Sequence, residues 1–134
     1  SIVATVFSEE GKVYPLSFNR KEEKDHGEGG SIIGKKPKGN VLIIDDVLSA
    51  GTAGRESIEL IKNLSANPSA FMVGLDRKEK GLSDQSSSKE LEKDFNLQVE
   101  SIVNLDSLIG FVENESNFKE HLNSLHEYRE SWGA

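Results

Sequence analysis

Apolar side chains at Ile2, Val3, Val6 and Phe7 recur at i, i+4, which predicts the last turns of a helix over residues 2–10, ended by Gly11-Lys12. Val13-Tyr14-Pro15-Leu16-Ser17-Phe18 is aromatic and β-branched and predicts a strand, with Pro15 near its start or at an edge. Residues 20–30 follow neither apolar period; they are charged, glycine-rich at their end, and predict an exposed, mobile loop. Ser31-Ile32-Ile33-Gly34 predicts a small strand and Lys35 to Asn40 a turn. Val41-Leu42-Ile43-Ile44 is apolar without alternation, as expected of a central strand buried on both faces. Beyond it Ile58, Ile61 and Leu64 give a helix one apolar stripe, with Asn67-Pro68 expected to close it. Ala70 to Leu75 predicts a second buried strand, Lys78 to Lys89 a loop or lid, Lys89–Phe95 a short helix and Val99–Val103 a third strand. Leu105–Val112 and Phe118–Tyr128 read as closing helices, N-capped by Asp106 and Asn117.

Strands alternating with helices predict an α/β fold, a mostly parallel sheet flanked by helices. The length, 134 residues, suits one domain. No apolar run approaches the ~20 residues that a membrane-spanning helix requires. The absence of Cys removes disulfides, thiolate metal sites and Cys nucleophiles, and fits a cytoplasmic location. A net charge of −7 argues against generic nucleic-acid binding. The acidity is uneven: residues 12–38 carry seven Lys and Arg against four carboxylates, a net +3, which leaves −10 for the remainder. A local basic zone of this kind suits a small polyanion.

Ligands of open parallel sheets bind beyond the carboxyl ends of the strands. Two strands end in charge there, at Asp45-Asp46 and Asp76-Arg77. Leu48-Ser49-Ala50-Gly51-Thr52-Ala53-Gly54 is small, hydroxylated and opens into a helix. Gly51 and Gly54 are expected to let backbone approach a ligand, and the helix's unpaired N–H groups with Ser49 and Thr52 would cradle a phosphate monoester. No Lys follows a Gly in the P-loop pattern, which disfavours a nucleoside triphosphate site. Paired carboxylates accept hydrogen bonds from sugar hydroxyls and suit Mg²⁺, so a phosphorylated ribose satisfies both halves.

Val41 to Ala53 resembles the phosphoribosyl-pyrophosphate signature of type I phosphoribosyltransferases, and Phe18 to Gly30 is similar to the flexible catalytic loop of orotate phosphoribosyltransferases. Leu75-Asp76-Arg77-Lys78-Glu79 resembles the next strand end of that family and Tyr128-Arg129-Glu130 its C-terminal helix. The resemblance implies transfer of a phosphoribosyl group to a ring nitrogen of orotate, releasing pyrophosphate in pyrimidine nucleotide synthesis. It implies a phosphoribosyltransferase core over residues 1–134, a catalytic loop over 20–30 and, since the chain has no initiator Met and opens inside a helical pattern, a missing N-terminal hood. As a piece of a longer chain it would be weak or inactive alone.

The residue roles follow from the same resemblance. Lys24 and His26 are the catalytic candidates; Arg20, Lys21, Lys24 and His26 would engage the pyrophosphate. Asp45 and Asp46 would hold the ribose hydroxyls, with Val47 and Leu48 leading into Ser49, Ala50, Gly51, Thr52 and Ala53 around the 5′-phosphate. Ser49 and Arg77 would contact orotate, the planar fork of Arg77 matching a carboxylate. Mg²⁺ would be held mainly by substrate oxygens, with no residue assigned as a direct ligand. A homodimer, with the loop reaching into the neighbouring site, is also implied. Two other readings stand beside this one: a phosphoribosyltransferase for another nucleobase, and a non-catalytic sensor of phosphoribosyl pyrophosphate.

Overall fold

The structure is a computed structural model that describes residues 8–19 and 32–134. Two compact units divide the chain, residues Ser1–Lys38 and Gly39–Ala134. In the first, residues 8–10 are helical, and the rest of the predicted N-terminal helix lies outside the described residues. Strands β1 (Ser17–Asn19) and β2 (Ile32–Gly34) pair antiparallel, with Phe18 opposite Ile33. Strand β1 starts later than the predicted Val13, consistent with Pro15, which has no N–H to give a ladder. Residues 20–31 lie outside the described residues, and with them Arg20, Lys21, Lys24 and His26.

The second unit holds a parallel sheet in the order β3 (Asn40–Leu48), β4 (Asn67–Asp76), β5 (Gln98–Asn104). Helix α1 (Thr52–Asn63) links β3 to β4 and α2 (Ser87–Phe95) links β4 to β5. After β5 come α3 (Leu105–Asn114), a 3₁₀ turn (Ser116–His121) and α4 (Leu122–Trp132). The predicted parallel α/β architecture is borne out. The core gathers Leu48, Ile58, Phe71, Val73, Leu91 and Leu97, with Ile43, Phe95 and Val99 against it. Each of the six buried side chains gains about 1.5–3 kcal/mol from burial.

Several local expectations change. Strand β4, not β3, is central, because both β3 and β5 pair with it. Val41 to Ile44 therefore alternate in burial: Val41 and Ile43 are half-buried, whereas Leu42 and Ile44 are 50% and 43% exposed. Helix α1 stops at Asn63, and Asn67-Pro68 opens β4 instead of closing the helix. Pro68 is tolerated there because the register with β3 shifts between Val41 and Leu42, so the missing N–H falls at an irregularity.

Helix α3 is capped by Asn104, not by Asp106: the Asn104 side chain accepts from the Ser107 amide at 3.0 Å, and the Ser107 hydroxyl accepts from the Asn104 amide at 3.1 Å. Asp106 sits inside the first turn and pairs with Arg129 at 2.7 Å. Asn117 caps nothing, since it falls within the 3₁₀ turn that precedes α4.

Candidate active site

The end of β3 supplies the first half of the site. Asp45 Oδ1 accepts from the Asp46 amide at 2.9 Å, and Asp46 Oδ1 accepts from the Val47 amide at 2.7 Å. Both carboxylates are exposed, and these bonds leave each with Oδ2 for another partner. Val47 is half-buried and Leu48 is buried, which anchors the strand just before the chain turns. Ser49 is half-buried and Gly51 buried, whereas Ala50, Thr52 and Ala53 are exposed, so the bend is open on the side of those three residues.

Gly51 makes that bend possible. Its φ of 88° is left-handed, where a side chain is strained, and an added Cβ would come within 3.0 Å of Ser87 Cβ. No side chain caps α1, and its first intrahelical bond runs from the Arg55 amide to the Gly51 carbonyl at 2.9 Å. The N–H groups of Thr52, Ala53 and Gly54 thus form an uncapped, electropositive helix end. The expectation that Gly54 gives a ligand close access to backbone is corrected. Gly54 is buried, and an added Cβ would lie 3.2 Å from Leu91 Cδ1 and 3.5 Å from Phe71 Cζ. Its small size lets α1 pack against the core.

The end of β4 supplies the second half. Leu48 lies opposite Asp76, and the Arg77 amide donates to the Leu48 carbonyl at 3.0 Å, which sets the two strand ends side by side. Asp76, buried, accepts from the Lys78 amide at 2.8 Å and pairs with Lys78 Nζ at 3.1 Å. Arg77 points outward from this frame, its side chain 45% exposed. Its Nη1 lies 3.4 Å from both Glu79 Oε1 and Tyr128 Oη, while the Tyr128 hydroxyl donates to Glu79. Tyr128's hydroxyl, and then Glu79, raise the Arg77 guanidinium above its usual pKa. Burial, followed by Glu79, pushes the Tyr128 phenol up.

The segment expected to be a loop or lid is pinned. Glu90 accepts from the Ser83 hydroxyl, from the Leu82 and Ser83 amides at 2.8 and 2.7 Å, and from Arg55 at 2.9 Å. These donors, Ser83's hydroxyl first, hold the Glu90 carboxyl down to about 2 although burial opposes them. Arg55 also pairs with Asp94 at 2.7 Å, so α1, α2 and the loop share one ionic knot. The Ser87 amide donates to the Glu79 carbonyl at 2.9 Å, and the Ser87 hydroxyl donates to the Ser49 carbonyl. Ser87 thereby ties the bend after β3 to the segment that follows Arg77.

Sequence reasoning missed Glu79, Ser87, Glu90 and Tyr128 as parts of this framework. Their partners are far apart in the chain, and only the acid in the first turn of α2, Glu90, gave a local signal. A cavity of about 260 Å³ lies elsewhere, lined by residues that include Lys78, Lys89, Asp106 and Arg129, and none of the expected site residues borders it. Among the described residues no group of three or more His, Cys, Asp or Glu could hold a metal ion. Asp45 and Asp46 offer oxygen donors that suit a Mg²⁺ sharing its shell with water and phosphate oxygens.

The comparisons carry the resemblance across the whole chain. No family model matches. An orotate phosphoribosyltransferase of Marinobacter nauticus is 41% identical over 134 residues, which is 100% of this chain and 63% of that protein. Orotate phosphoribosyltransferase of Actinobacillus succinogenes is 44% identical over the same spans, 100% and 63%. Among solved structures, orotate phosphoribosyltransferase of Francisella tularensis matches with a TM-score of 0.75 and 29% identity, over 99% of this chain and 63% of that one. UMP synthase of Leishmania donovani matches with a TM-score of 0.70 and 26% identity, over 98% and 27%. The resemblance expected from Val41–Ala53 and Phe18–Gly30 is thus borne out: from end to end, this chain is similar to a little under two thirds of an orotate phosphoribosyltransferase.

Proposed function

We propose that the chain is the phosphoribosyl-pyrophosphate-binding portion of an enzyme that transfers phosphoribose to orotate, giving orotidine 5′-monophosphate and pyrophosphate. The observation that carries this is the meeting of two strand ends. The open bend from Ser49 to Ala53 follows Asp45-Asp46 on β3, and Arg77 leaves β4 beside it, joined by the bond from Arg77 to Leu48. The bend's N–H groups bind the 5′-phosphate, and Asp45 and Asp46 accept from the ribose hydroxyls. Ser49 and Arg77 face orotate, Arg77 as a fork for its carboxylate.

In this reading residues 1–134 belong to the phosphoribosyltransferase core of that enzyme, and residues 20–30 are its catalytic loop. Arg20, Lys21, Lys24 and His26 surround the pyrophosphate, where fixed cations favour the charge that grows on a leaving group. Lys24 carries most of that stabilisation, and His26 shares proton or charge duty. Mg²⁺, when bound, would be held mainly by substrate oxygens and would neutralise phosphate charge, with Asp45 and Asp46 able to help hold it directly or through water. A cytoplasmic homodimer, with Lys24 acting in the partner's site, completes the proposal.

The test mixes orotate, phosphoribosyl pyrophosphate and Mg²⁺ with these 134 residues and, separately, with the same residues preceded by the N-terminal part of the Actinobacillus relative. Nucleotide formation by the longer protein and little by the shorter is expected. Lys24→Ala should lower turnover by roughly 10²–10³-fold while phosphoribosyl pyrophosphate still binds. Equal turnover in parent and variant removes the role of Lys24. A different preferred base in a nucleobase panel would move the protein to a neighbouring phosphoribosyltransferase, and binding without turnover would make it a sensor.

A further inference from the structure

We infer that Tyr128 is a positioning residue, holding Arg77 so that one edge of its guanidinium faces a planar carboxylate. The inference rests on the reading of Arg77 as the orotate contact. Glu79 is the fixed point. It is buried, its carbonyl accepts the Ser87 amide at 2.9 Å, and it forms a bridge with Gly133. Tyr128, brought by α4 from far along the chain, donates its hydroxyl to Glu79 Oε1, so its oxygen lone pairs are left to accept from Arg77 Nη1 at 3.4 Å. The same Nη1 lies 3.4 Å from Glu79.

Two partners therefore hold a single arm of the guanidinium. Of the five donors of Arg77, none on Nε or Nη2 is used by a hydrogen bond among the described residues. That edge, Nε with Nη2, is the one that grips a carboxylate with two parallel bonds. Glu79 alone would draw the guanidinium toward itself as a simple ion pair. The tyrosine hydroxyl between them spreads the contact over two acceptors and fixes the rotation of the fork. The raised pKa values of Arg77 and Tyr128 accord with this chain of donors. An arginine fixed in advance loses less side-chain freedom on binding, so the gain appears as affinity for the carboxylate ligand and not for phosphate.

The experiment takes the longer protein, these 134 residues preceded by the N-terminal part of the Actinobacillus relative, and compares it with its Tyr128→Phe and Glu79→Gln variants. Orotate and phosphoribosyl pyrophosphate with Mg²⁺ are titrated by calorimetry, Arg77 Nε–H order is read by ¹⁵N relaxation, and the melting temperature is recorded. Tyr128→Phe should loosen the Arg77 side chain and weaken orotate binding roughly tenfold, the scale of one hydrogen bond to a charged group. Affinity for phosphoribosyl pyrophosphate should stay within about twofold, and Glu79→Gln should act in the same direction. If Arg77 keeps its order in Tyr128→Phe, the positioning role is overturned. Loss of both affinities together with a large fall in melting temperature also overturns it, in favour of a structural role. Loosening of Arg77 with unchanged orotate affinity, or no orotate binding by the parent that binds phosphoribosyl pyrophosphate, overturns Arg77 as the orotate contact instead.

Discussion

Past Leu48 the chain turns through Ser49, Ala50 and Gly51 into a helix that no side chain caps. Past Asp76 it runs from Arg77 to Ser86 through a web in which Asp76, Glu79 and Glu90 accept bonds from backbone and side chains. The first connection leaves its N–H donors without a side-chain cap, and the second consumes its acceptors internally. The difference follows from what each has to present. In the proposed function a phosphate is met by backbone N–H groups, which need only the correct turn, whereas a side chain as long as Arg77 has to be fixed by other side chains. The bend is also braced from the web, by Ser87 on the Ser49 carbonyl.

Breaking the web should have the largest effect on stability. Glu90→Ala removes the shared acceptor of the Leu82 and Ser83 amides and leaves Arg55 with Asp94 alone, so thermal unfolding should shift down by roughly 4–8 degrees. The same knot predicts a pH dependence. Because Glu90 is held at about 2 in the folded chain, below the ordinary carboxylate value of about 4.3, its contribution is complete above that value. It is lost as the pH falls from there toward 2, and Glu90→Gln should flatten that acid limb in denaturation measured at stepped pH.

Gly51→Ala should act at both levels. The left-handed φ of 88° costs about 1–2 kcal/mol with a side chain, and the 3.0 Å contact with Ser87 adds to it. Urea unfolding would read that loss, and calorimetry should show phosphoribosyl pyrophosphate binding weakened as the bend shifts. The smallest effect should come from Ser87→Ala, which removes one brace, about 0.5–1.5 kcal/mol, from a bend that keeps its backbone turn. If Ser87→Ala weakened phosphoribosyl pyrophosphate binding as much as Gly51→Ala does, the bend would depend on the web and the contrast between the two connections would fail.

The order of strands and helices was legible in the sequence because apolar periodicity is local, and the bend after Asp45-Asp46 was legible because glycine, small residues and a helix start are consecutive there. That β4 would be central was not legible, since Val41-Leu42-Ile43-Ile44 is the most apolar run and strand position depends on which partners pair. Nor was Gly54's packing role, because its neighbours Leu91 and Phe71 come from other elements.

By itself the sequence determined a parallel α/β chain with paired acids and a small, glycine-containing bend after one strand and an arginine at the end of the next. Only the tertiary structure decided which groups steady those residues. Glu79, Ser87, Glu90 and Tyr128 act on partners that sequence separation hides, and a hydrogen bond depends on distance in space, whatever the number of residues between its ends.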